Sequence, residues 1–231
     1  METQATRAIP RSLFVYSIFY GGMVCIAGVL GAKQVSLGAA VARIAAKAGV
    51  GLKLPTVPVE AGIFGFILLV VLASSVAELH GRAAADRLVR FGFVPLLVSM
   101  ALIQLVLRLP EDPNMFEPAK GAFPIILGQG ARMMFAGLIA YGTSQTLNVL
   151  IFSKLAGSEG SRLLWLRAIV ASVASQIVDT LLFITISFYG ERPILDLMLG
   201  QMLAKVVLSL VLVPALIYLL VALGRRLDRG A

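Results

Sequence analysis

Of the 231 residues, 59% are hydrophobic and only 14% are charged; a soluble domain carries roughly 25% charged residues, so composition excludes one. The formal net charge of +8 comes without any basic run interleaved with aromatics, which excludes a nucleic-acid partner and fits arginines gathered in the loops of a membrane protein. One cysteine, Cys25, and one histidine, His80, exclude an internal disulfide and any cysteine or histidine metal cluster.

The polar start METQATRAIPRS is followed by an apolar run that lacks a small-residue cleavage pattern, so that run is read as a retained helix, not a signal peptide. It is expected over about 13–31, after Pro10, with Tyr16 and Tyr20 near its start. In residues 34–60, SLGAAVARIAAKAG suits a short amphipathic helix, and the two prolines of LPTVPVEAG then force extended geometry. Further spans are expected over about 62–80, 92–108, 123–154, 163–189 and 194–223. The segment LPEDPNMFEPAKG between the third and fourth reads as a solvated, irregular loop. The expectation is therefore an all-α polytopic membrane protein, six transmembrane helices in one bundle. It forms a single domain over 1–231 with short tails at about 1–12 and 224–231. Lys and Arg fall ten on the side of the termini against seven on the other, which predicts a bacterial inner-membrane protein with both termini cytoplasmic.

The fifth span, LLWLRAIVASVASQIVDTLLFITISFY, carries Asp179, Gln176 and Ser172 at spacings of three and four, hence on one helix face. A carboxylate there costs at least ~2.5 kcal/mol unless it faces protein, water or a cation. At 1.5 Å per residue, Arg132 lies about 13 Å into the fourth span, Asp179 about 24 Å into the fifth and Lys205 about 16 Å into the sixth, all at similar levels. Gln201 lies one turn from Lys205. One reading is an ion pair or triad that fixes packing. The other is a polar pocket near the midplane, where transporters hold substrate. Two cations against one carboxylate, with amides added, favour the pocket.

Other polar residues carry two readings each. Glu78 and His80 form either a solvated helix end with a local Glu78–Arg82 pair or a gating or coupling element. Gln145 and Asn148 share a face and serve either as interhelical glue or as a pathway wall. Lys33 either snorkels to the interface or reaches the pocket. Phe183, Tyr141 and Phe188 are packing residues or stacking platforms, and Trp165 is an interfacial anchor. No GxxxxGK, HExxH or GxSxG motif occurs, so neither an ATPase nor an intramembrane enzyme is indicated, and no cofactor is implied.

The segments ARMMFAGLIAYGTSQTLNVLIFSKL, LLWLRAIVASVASQIVDTLLFITISFYG and AKVVLSLVLVPALIYLL resemble the queuosine precursor transporter family, also grouped with vitamin uptake transporters. The combination that carries the resemblance is Arg132, Gln145, Phe152, Trp165-Leu166-Arg167, Gln176, Asp179-Thr180 and Lys205. Departures fall at Ile67, Ser74, Asn148 and Ala168. The resemblance implies a six-helix carrier for 7-deazaguanines such as 7-cyano-7-deazaguanine. Asp179 would accept the base's adjacent N–H donors; Arg132, Lys205, Gln176 and Gln201 would serve its carbonyl, ring nitrogen or nitrile; and Phe183 would cover the ring. The alternative is a substrate-binding membrane subunit of an ATPase-energised vitamin uptake system. Beyond the base, the implied partners are the lipid bilayer and a possible second copy in a homodimer.

Overall fold

The computed structural model describes residues 9–47, 49, 58–128, 131–156, 163–190 and 194–229. The elements are α1 (Arg11–Gly31), β1 (Gln34–Ser36), α2 (Leu37–Lys47), β2 (Pro58–Glu60), α3 (Gly62–His80), α4 (Arg82–Val106), α5 (Glu117–Leu127), α6 (Ala131–Lys154), α7 (Leu164–Phe188) and α8 (Leu195–Arg229). Six of them, α1, α3, α4, α6, α7 and α8, are long and apolar enough to cross a membrane. The chain is thus a six-span α-helical bundle, as its composition requires.

A helix that is apolar on every side belongs in the interior of its bundle, and α3 (GIFGFILLVVLASSVAELH) is the case here. Of its most apolar stretch 61% is buried, against 11% for α4, and it packs on all five other spans. Its approach to α1 depends on Gly65, where a Cβ would stand 2.9 Å from that of Ala27. The most extensive interface joins α6 to α7, and three contacts fix their antiparallel register. Arg167 donates to the Phe152 carbonyl near one end, Ser144 meets Asp179 midway, and Arg132 reaches the carbonyls of Ile186 and Tyr189 at the other.

The element boundaries differ from expectation in three places. First, α4 begins ten residues before 92, because RAAAD is strongly helix-forming and Arg82 pairs with Asp86 at 3.3 Å one turn on. Only Gly81 separates it from α3, at φ 82 and ψ 165, a conformation essentially reserved for glycine.

Second, the helix expected over 123–154 is two helices. Gly128 ends α5 with a non-helical ψ of 47, and a Cβ there would collide with the Pro124 carbonyl oxygen. Third, α8 continues as helix through the basic tail, because Asp228 is anchored there by the backbone N–H and hydroxyl of Ser12 at 2.9 and 2.7 Å. His80 Nε2 lies 2.6 Å from the same hydroxyl, so the first turn of α1 and the last turns of α3 and α8 meet at one end of the bundle.

The amphipathic helix predicted after residue 34 is α2. The stretch after it includes a strand that the sequence pattern did not separate from extended coil. Here β2 pairs antiparallel with β1, Gln34 opposite Glu60, and the Ala61 N–H donates to the Lys33 carbonyl at 2.8 Å.

Candidate functional site

In the half of the bundle away from the Ser12–His80–Asp228 end lies a cavity of about 430 Å³, bounded by α1, α3, α4, α6, α7, α8 and the end of α5. Its wall is mostly apolar, with Phe66, Tyr141 and Phe183 the aromatic surfaces and Glu60, Asp179 and Lys205 the charged ones. Counted from the Phe188 end of α7 and the Leu195 end of α8, Asp179 and Lys205 both lie roughly 14–15 Å along their helices, so two long helices bring them to one level. They meet: Lys205 Nζ donates to Asp179 Oδ2 at 3.1 Å, and the Ser144 hydroxyl to Oδ1 at 3.3 Å. The side chains keep only 13% and 8% exposure, and the ammonium stands 5.9 Å from the centre of the Phe66 ring. A charge pair at this depth holds together because each ion replaces the other's lost water.

One turn toward the β pair, Gln201 is 2% exposed and donates to Glu60 Oε1 at 3.3 Å. Phe183, one turn beyond Asp179 on α7, lines the same cavity and meets Phe188 edge-on at 6.4 Å. Away from the cavity, Gln176 donates to the hydroxyls of Ser172 and Ser209, tying α7 to α8. Gln145 accepts a hydrogen bond from Tyr20 at 3.4 Å, and the Tyr141 hydroxyl in turn donates to that of Tyr20. Asn148 donates to the Val70 carbonyl and to Ser74, both at 3.2 Å, so two of the departures from the family pattern are bonded to each other.

Arg132 does not join Asp179 and Lys205. The depth of about 13 Å assumed a helix running unbroken from 123; α6 instead starts afresh at Ala131, which puts Arg132 in its first turn. There it is exposed and satisfies carbonyls at the C-terminus of α7, with Nη2 2.8 Å from the Tyr189 oxygen. Glu78 pairs not with Arg82 but with Arg167, at 3.1 Å from α3 to α7. Lys33 is exposed beside β1 and is not part of the cavity wall.

Sequence reasoning assigned no role to several residues of this architecture. Arg167, only 6% exposed, stacks 4.3 Å from the centre of the Phe152 ring while holding Glu78. Its signal was available, since an arginine four residues into an apolar span needs a counter-charge. Ser209 continues the spacing of Gln201 and Lys205 by one more turn. Glu60 had no such signal, because strands of three residues are too short for alternation to be read.

The profile of the family described as "Putative vitamin uptake transporter" matches residues 60–219, from Glu60 through α3 to α7 and into α8. The protein named "Probable queuosine precursor transporter" of Bacillus subtilis (strain 168) is 34% identical over 146 residues, which covers 59% of this chain and 61% of that protein. The matched part is therefore less than two thirds of the relative's length. No solved structure matches.

Proposed function

The chain belongs to this vitamin uptake transporter family, and we propose that it imports queuosine precursors, 7-cyano-7-deazaguanine and related 7-deazaguanines, across the inner membrane with both termini in the cytoplasm. The observation that carries this reading is the Asp179–Lys205 pair set in the wall of an aromatic-lined cavity. A cavity of about 430 Å³ lies within the range of small-molecule sites and exceeds what a flat bicyclic base needs.

The chemistry follows from the groups available. A 7-deazaguanine presents adjacent N–H donors on one edge and a carbonyl beside them. The carboxylate of Asp179 accepts the donors in a pair, and Lys205, already within reach of that carboxylate, serves the carbonyl. Gln201, bonded to Glu60 of the cavity wall, steadies that carboxylate, and Phe66 and Phe183 offer flat faces to the ring. In this reading Gln145, Gln176 and Asn148 belong to the path below the cavity, and Arg132 braces α7.

Uptake of labelled 7-cyano-7-deazaguanine into proteoliposomes containing this protein alone tests the reading, and also its rival, a subunit that needs an ATPase. Uptake by the protein alone is expected. Asp179→Asn removes one acceptor and the charge, so uptake should fall by about tenfold or more while protein remains in the membrane. Normal uptake by Asp179→Asn would take Asp179 out of the site.

A further inference from the structure

The cavity ends at Asp179 and Lys205, but the polar residues do not. Toward the Ser12–His80–Asp228 end come Tyr20 with Gln145, then Gln176 with Ser172 and Ser209, then Asn148 with Ser74. These amides and hydroxyls are contributed by α1, α3, α6, α7 and α8 and are fully or almost fully buried. Beyond them Glu78 and Arg167 pair at 3.1 Å across α3 and α7, with the Phe152 ring of α6 against the guanidinium.

Three atoms in this seam have no hydrogen-bond partner among the described residues: Gln145 Nε2, Asn148 Oδ1 and Gln176 Oε1. A bundle built only to pack would avoid this, since leucine at the same places fills the space and leaves no buried amide unpaired. Buried groups of both kinds, a donor and acceptors, are what a passing solute with an amide edge would satisfy. Between the two ion pairs the described seam carries no carboxylate, ammonium or guanidinium, so nothing there compensates a charge in transit.

We propose that this seam is the closed half of the translocation path, a transit site for an uncharged, amide-bearing heterocycle, and that Glu78–Arg167 is the gate that shuts it. The inference rests on the carrier reading for its cargo but not for its geometry. Opening separates α3 from α7 at the gate and uncovers Asn148 and Gln176 to the side where Ser12, His80 and Asp228 meet.

The test is thiol accessibility in a Cys25→Ser background. Ser74→Cys and Ser172→Cys report from within the seam; Ser75→Cys, turned by about 100° on α3 and bonded back to the Val71 carbonyl, is the control. An impermeant thiol reagent is applied from the Ser12–His80–Asp228 side. Glu78→Gln should accelerate labelling at both seam positions by roughly tenfold, since loss of a gate raises a minor open population, and should leave the control unchanged. The charge swap Glu78→Arg with Arg167→Glu should return labelling to the slow rate. If Glu78→Gln does not accumulate, Arg167→Lys, which keeps the charge and loses the stacking, is read in its place.

Unchanged rates at the seam, or equal acceleration at Ser75→Cys, would overturn the proposal. The cargo is tested separately by adding 7-cyano-7-deazaguanine or its aminomethyl relative to the other side. Faster seam labelling with the nitrile and not with the cationic amine is expected. Acceleration by Glu78→Gln with no response to either base would keep the gate and remove these bases as cargo.

Discussion

Asp179 and Lys205 hold each other in a place where neither could stand alone. Removing one partner of such a pair leaves an uncompensated charge, at a cost of about 3–5 kcal/mol when burial is complete and less where some exposure remains. Lys205→Met should therefore lower the thermal midpoint of the detergent-solubilised protein markedly. The double variant Asp179→Asn, Lys205→Met should recover most of that loss and still not take up the base. Thermal unfolding beside uptake separates the two roles, and a double variant that regains transport would reduce the pair to a packing device. The side chains of this pair were legible in the sequence because charge in an apolar span is conspicuous, and counting residues placed both at one depth. Arg132 was equally conspicuous and was misplaced. Its depth depended on where its helix starts, and the non-helical turn at Gly128, ψ 47, ends the preceding helix in a way that composition does not register.

Among elements, the junction between α3 and α4 carries a constraint of its own. Gly81 has nothing within 4 Å of a would-be Cβ, so its requirement is purely conformational, at φ 82 and ψ 165. Gly81→Ala should destabilise the protein by about 1–3 kcal/mol through backbone strain alone, measurable as a lower unfolding midpoint. A midpoint equal to that of the parent would show that the junction relaxes freely. The same junction explains an error of expectation: ten helical residues of α4 were read as connection because their charges look solvated. The charges are solvated on one side only, while Ala84, Ala85, Leu88 and Val89 bury an apolar face on the other, and alanines and an i,i+4 pair add helical preference. The six apolar spans were legible because each bilayer crossing demands about 20 such residues. The β1–β2 pair that positions Glu60 against Gln201 was not, because three residues per strand give no period to detect.

The whole molecule is asymmetric along its long direction. One half holds the cavity and the strand pair; the other is closed by Glu78–Arg167 and by the cluster of Ser12, His80 and Asp228, which joins α1, α3 and α8. That asymmetry decides how substrate meets the protein only once its direction in the membrane is known. Ten lysines and arginines on the side of the termini against seven on the other predict that the closed end faces the cytoplasm. Ser12 and Asp228, close to the two ends of the described chain, are bonded to each other, so the first turn of α1 and the last turn of α8 lie on one side and one measurement fixes the side of both. A fluorescent protein fused after Ala231 should fluoresce in intact cells, and alkaline phosphatase at the same place should be inactive. Alkaline phosphatase inserted at Asp112, in the loop between α4 and α5 on the opposite side, should be active. With that orientation the cavity faces the medium and the gate faces the cell, which suits import. The reverse result would turn the Asp179 cavity toward the cytoplasm and make the same polar seam a route that opens outward.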